Sequence, residues 1–137
     1  MRLVFADTGY WIAILAPMDT LNGSALEVSR NLGQIRIITT EMVISELLAS
    51  LSKPPELRNT VIKSVEMIFN DPNTEVVPQT SLQFRAAFDR YKARSDKEWS
   101  LTDCASFLVM EQRGIQDALA YDHHFDQAGF KALLRRS

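Results

Sequence analysis

Leu3-Val4-Phe5-Ala6-Asp7 is a run of four apolar residues closed by an acid. A run this short, apolar and followed at once by Thr8-Gly9 reads as a buried strand ending at a polar edge. A second such segment, Ile35-Arg36-Ile37-Ile38-Thr39, is rich in β-branched residues. Further strands are expected near 74–78, 117–121 and 130–134, with the first two near 2–7 and 35–39.

Helical spacing fills the gaps. Ile44, Leu47, Leu48 and Leu51 recur at i, i+3, i+4 and i+7, as do Phe84, Ala87, Phe88 and Tyr91. A further helical stretch opens at Asp19 or Thr20 and runs through Leu26, Ser29 and Arg30. Short apolar strands alternating with helices imply a parallel sheet covered on both faces. The expected architecture is α/β, an open three-layer α/β/α sandwich, and residues 1–137 form a single domain. The loops at Pro54-Pro55 and Asp71-Pro72-Asn73 fall within that domain.

The bulk properties are those of a soluble globular chain. Of 137 residues, 46% are hydrophobic and 23% charged, and 15 basic against 17 acidic residues leave a net charge of −2. That balance excludes a strongly basic nucleic-acid coat but not a local basic patch. Cys104 is the single cysteine, which excludes an intramolecular disulfide and disfavours a thiolate zinc site. It reads as a small core residue in a reducing cytoplasm. The opening apolar run is too short to span a membrane, and no signal peptide is expected.

The acids carry the chemistry. In a parallel sheet, strand ends and helix starts share the edge where ligands bind. Asp7 and Asp122 close strand-like runs, Asp103 opens a helix, and Glu46 lies within one. Two carboxylates at about 5 Å repel by roughly 3 kcal/mol at an effective dielectric near 20. A divalent cation turns that repulsion into affinity, and hard oxygen donors suit Mg²⁺ or Mn²⁺.

Each acid also has a plainer explanation. Asp7 could cap a helix. Glu46 lies on the polar side of its helix, opposite the Ile44/Leu47/Leu51 stripe, where a solvated Glu is the default, and its spacing does not set it apart from Glu41. Ser100-Leu101-Thr102-Asp103 fits a capping box, in which Ser100 caps and Asp103 reaches back. His123 and His124, being adjacent, are expected to point different ways, which disfavours a shared zinc pair. Phe125 reads as core.

Taken together, Phe5-Ala6-Asp7-Thr8, Ser45-Glu46-Leu47-Leu48, Ser100-Leu101-Thr102-Asp103-Cys104 and the stretch from Ala120-Tyr121-Asp122-His123-His124-Phe125-Asp126 to Gly129-Phe130 carry a resemblance. The chain resembles the PIN-domain ribonucleases, and among them the VapC-type toxins of toxin–antitoxin pairs, over nearly its whole length. The resemblance implies a parallel five-stranded sheet and metal-dependent hydrolysis of RNA. It assigns Asp7, Glu46, Asp103 and Asp122 as the catalytic, metal-binding acids, with Thr8, Thr102 and Asp126 in support. Where the family commonly has Thr or Ser before the fourth acid, this chain has Ala120-Tyr121, which leaves Tyr121 the only hydroxyl there. Asp7, from the strand expected at the centre, is the candidate to bridge two ions about 3.5–4 Å apart. The resemblance also implies a small cognate antitoxin as partner.

RNA needs cations beside such a site. Arg90, Lys92, Arg94 and Lys97 precede Asp103 and could hold phosphates, while Trp99 or Tyr91 could stack a base. Both aromatics could equally be core. Arg135-Arg136 is a further basic candidate. Helix faces near Trp11 or Met42 could make a homodimer, or could be core. Other functions remain open at this point: a housekeeping RNA-processing nuclease, or a non-catalytic binding module whose acids are caps and solvated charge. An aspartate-phosphorylating phosphatase ranks low, because Gly9 stands where its second Asp belongs.

Overall fold

The computed structural model describes residues 1–16 and 19–135. Strand β1 (Arg2–Ala6) is central, and Val4, Phe5 and Ala6 are fully buried, so both faces of the sheet are covered. Helices α1 (Thr8–Leu15) and α2 (Asn22–Asn31) lead to β2 (Ile35–Thr40). Then follow α3 (Glu41–Ser50), α4 (Pro55–Asn70) and β3 (Thr74–Val77). The chain continues through α5 (Ser81–Ala93), α6 (Leu101–Arg113), β4 (Asp117–Leu119), α7 (His123–Gln127) and β5 (Lys131–Ala132).

All strand pairs are parallel, in the order β3-β2-β1-β4-β5. The chain builds outward from β1 to β3, crosses back, and continues on the other side with β4. The reversal falls between β1 and β4, so their carboxyl ends open a crevice. Backbone pairing continues one residue beyond β1, where the Asp7 N–H donates to Leu119 O at 3.1 Å. The α/β fold with a five-stranded parallel sheet agrees with the expectation.

An aromatic cluster fixes the elements that carry the site. Phe107 of α6 meets Phe125 of α7 edge-on at 5.1 Å, and Phe125 meets Phe5 of β1 at 6.3 Å. Trp99 and Phe130 pack on Phe107 at 5.1 and 5.6 Å. Such pairs contribute about 0.5–1.5 kcal/mol each beyond their buried area. Phe107 lies one turn after Asp103, and Phe125 directly follows His124, so this core sets where both polar residues project.

The structure corrects two expectations, on the α5 stripe and on Asp122, and decides an open alternative for Trp11. Phe84, Phe88 and Tyr91 repeat at helical spacing, yet of that α5 stripe only Ala87 is buried. The period identifies the helix, but an apolar stripe does not have to face the core. Trp11 is buried, edge-on to Tyr10 at 5.2 Å, which leaves it no dimer surface. The β4 strand ends at Leu119, so Asp122 caps α7 and does not close the strand. No helix among the described residues is long and apolar enough to cross a membrane.

Candidate active site

An open cleft of about 700 Å³ lies at the reversal point, lined by Asp7, Glu46, Asp103 and Asp122 together with Thr8, Ser100, Tyr121 and His124. Four acids that are far apart in sequence therefore share one wall. Asp7 holds the N-cap position of α1 with extended backbone, but its side chain makes no capping bond. Burial pushes its carboxyl up to about 7, and the charges of Asp103, Glu46 and Asp122 add to the rise, while the nearby Thr8 amide partly offsets it. Capping thus does not account for Asp7.

Asp103 serves two purposes. The Ser100 and Asp103 backbone amides and side chains complete the expected capping box, each N–H donating at 3.0 Å. Its carboxyl is still raised, chiefly by burial, with Ser100 and His124 opposing the rise. The His124 Nδ1 lies 3.0 Å from Asp103 Oδ2 and 3.0 Å from Asp122 Oδ2. That nitrogen hydrogen-bonds Asp103 and lies equally close to Asp122, so one ring links the two acids. Asp122 also accepts from the His124 backbone N–H at 3.0 Å, which is ordinary helix capping.

Glu46 is half-buried and lines the cleft, where the resemblance places it, and not on a solvated face as its spacing alone would allow. That face is polar because it borders the site. The two histidines depart from expectation. Their rings lie 4.6 Å apart, and His123 Nδ1 sits 3.3 Å from Asp122 Oδ1. They converge on Asp122 because the backbone begins α7 there.

Among the supporting residues, Thr8 lines the cleft and is 6% exposed, and its hydroxyl has no hydrogen-bond partner among the described residues. A buried orphan hydroxyl beside a cluster of acids fits a hydrated hard cation, which offers both charge and water. The donor set, all carboxylate and hydroxyl oxygen apart from His124, fits Mg²⁺ or Mn²⁺ on the same grounds. Thr102 does not line the cleft. Its carbonyl accepts from Ser106 Oγ, and Ser100 is the hydroxyl at this end of the site. Asp126 also lies outside the cleft. It accepts from Arg135 at 2.6 Å and from the Ala132 N–H, tying β5 in place. Arg135 is thereby paired, and Arg136 lies outside the described residues.

The basic segment is arranged differently from expectation. Arg90 pairs through both guanidinium nitrogens with Glu111, and Arg94 likewise with Asp96. Neither they nor Lys92 and Lys97 line the acidic cleft. Trp99 is 6% exposed, its indole N–H donates to Gln127, and Arg94 lies 5.0 Å over its ring. At 6% exposed, with Arg94 over its ring, Trp99 is a core residue and not a stacking platform.

His124 is the residue that the sequence reading missed as part of the site. Its place two residues after an acid that caps a short helix is the available signal. Asp19 and Glu98 line the cleft too, and only the folded chain reveals them.

The chain matches the PIN domain family over residues 4–131. It is similar to the 23S rRNA-specific endonuclease VapC20 of Mycobacterium tuberculosis, 27% identical over 128 residues, covering 93% of this chain and 95% of that protein. It superposes on the crystal structure of M. tuberculosis VapC20, described as a sarcin-ricin loop cleaving toxin, with a TM-score of 0.84 at 24% identity, covering 94% of this chain and 97% of that one. It also superposes on VapBC2 from Rickettsia felis bound to a DNA fragment from their promoter, with a TM-score of 0.69 at 10% identity, covering 95% and 96%.

Proposed function

The chain belongs to the PIN domain family, and we propose that it is a metal-dependent ribonuclease acting in the cytoplasm as the toxin of a toxin–antitoxin pair. The observation that carries this reading is the convergence of Asp7, Glu46, Asp103 and Asp122 on one cleft, with the Asp7 carboxyl lifted to about 7. In this reading those four acids hold Mg²⁺ or Mn²⁺. The bound ion would stabilise charge on a phosphate oxygen and acidify an attacking water.

The chain's own residues supply position and polarity. Asp7, at the end of the central strand, faces the charges of the other three acids. The partnerless Thr8 hydroxyl orients a water beside it. His124 holds Asp103 and Asp122 at a fixed separation, and the Ser100 amide fixes Asp103 from the other side. Rigid placement of this kind lowers the cost of ordering the reacting groups.

The test is incubation of the purified protein with total RNA in Mg²⁺, in Mn²⁺ and in chelator. Cleavage in the first two and none in the third is expected. A similar protein is named as 23S rRNA-specific, so 23S rRNA is the first defined substrate to try. RNA left intact under all three conditions overturns the reading.

The toxin role brings a partner, a small antitoxin. An Arg or Lys from its chain would pair with the cleft carboxylates and silence them. Co-expression with the product of a small adjacent reading frame should give a stable complex with suppressed cleavage. RNA cleavage without such a partner and without harm to the host would place the protein among housekeeping RNA-processing nucleases.

A further inference from the structure

Beside the acidic cleft runs a second groove of about 410 Å³, lined by Phe88, Tyr91, Lys92, Ser95, Lys97, Glu98 and Trp99. Glu98 lines both, so the groove and the cleft meet there. Phe88 and Tyr91 are 46% and 49% exposed, so two aromatic rings stand at the surface where the groove adjoins the cleft. Lys92 lies 5.1 Å over the Phe88 ring and 3.7 Å from Asp89, an exposed contact that a stronger anion can replace. Lys97 forms no ion pair among the described residues.

We propose that this groove seats the single-stranded nucleotides flanking the scissile phosphate, with Tyr91 and Phe88 stacking unpaired bases and Lys92 and Lys97 holding the phosphates between them. The inference rests on the ribonuclease reading and adds to it the surface and the side chains that hold the strand beside the cleft.

Charge and continuity select this occupant. A cleft walled by carboxylates repels RNA except through a metal, so the strand needs its cations next to the cleft. The groove supplies two lysines at that border, and the arginines nearby are already held by Glu111 and Asp96. Aromatic faces interleaved with lysines match a single strand, whose bases are free to stack and whose phosphates alternate with them. A duplex offers no base face to Tyr91, so loops and unpaired ends are preferred.

The experiment measures binding of a short fluorescent single-stranded RNA of mixed sequence to protein in the Asp7→Asn background, which suppresses cleavage. Tyr91→Leu and Phe88→Leu keep apolar area but remove the stacking face, and each should weaken binding about tenfold. Tyr91→Trp should restore affinity. Lys92→Gln and Lys97→Gln should each reduce the salt dependence by about one phosphate contact. In the otherwise wild-type enzyme the same changes should raise KM and spare kcat.

Unchanged affinity and KM in an enzyme that still cleaves RNA overturn the groove while leaving the ribonuclease standing. Failure of the wild-type protein to cleave RNA at all overturns both. If Tyr91→Leu changes the sedimentation of the protein but not its RNA affinity, the groove is a contact between two copies of the chain and the inference falls.

Discussion

The His124 Nδ1 stands 3.0 Å from an oxygen of Asp103 and 3.0 Å from an oxygen of Asp122, and so joins the start of α6 to the start of α7. One imidazole ring thus links two carboxylates that stand at the starts of separate helices. Replacing His124 with Ala should cost about 1–2 kcal/mol of stability in metal-free buffer, read from urea unfolding. It should also lower cleavage, because Asp103 and Asp122 lose their spacer. Stability and activity equal to wild type would show that the ring is idle.

Asp7 makes the opposite prediction. Its folded-state carboxyl sits near 7, well above the ordinary value of 3.8. The folded protein therefore binds more protons than the unfolded chain between about pH 4 and about pH 7, and metal-free stability falls as pH rises through that window. The cost reaches at most about 4 kcal/mol. Asp7→Asn should match wild type near pH 4, be more stable near pH 8, and abolish cleavage. A variant less stable than wild type at the higher pH would refute the burial argument.

Metal binding should release protons. The ion takes Asp7 in its charged form, so apparent affinity should fall up to about tenfold per unit of pH below 7. Calorimetric titration with Mn²⁺ in two buffers of different ionisation heat gives the number released. Affinity that does not change between about pH 6 and about pH 8 would contradict the placement of Asp7 at the ion.

The Thr8 hydroxyl is buried without a partner among the described residues. An unsatisfied buried polar group costs about 1–3 kcal/mol. Thr8→Val should therefore leave metal-free stability unchanged or higher while reducing cleavage and Mg²⁺ affinity. Full cleavage by this variant would assign Thr8 to packing alone.

Phe107 lies at the hub of the aromatic cluster, with Trp99, Phe125 and Phe130 around it. Phe107→Ala should destabilise the protein by about 3–5 kcal/mol in thermal or urea unfolding. Phe107→Leu should cost less, and should lower activity if the cluster sets the position of Asp103 one turn earlier. An active, fully stable Phe107→Ala variant would remove the cluster from the account of the site.

Much of the architecture was legible along the chain. The run Leu3–Ala6 and the β-branched run at Ile35–Thr39 announced buried strands, and the stripe at Ile44, Leu47 and Leu51 announced α3. Local composition suffices there, because burial on both faces of a strand selects for apolar and β-branched residues. The Ser100–Asp103 capping box was also readable, since it spans four consecutive residues.

What the sequence could not decide is which face of a regular element meets what. The period that marks α5 is the same whether Phe88 and Tyr91 enter the core or line a groove, and the structure put them at the surface. Spacing alone likewise left Glu46 between a solvated and a cleft-facing acid, and Trp99 between a stacking surface and the core, and the structure put Glu46 in the cleft and Trp99 in the core. The sequence by itself determined the strands, the helices and the acidic residues available. Only the tertiary structure decided that the chain reverses between β1 and β4, that His124 spans two of those acids, and that burial raises Asp7. Propensity and capping act over a few neighbouring residues, whereas burial and carboxylate repulsion depend on separations set by the whole packed chain.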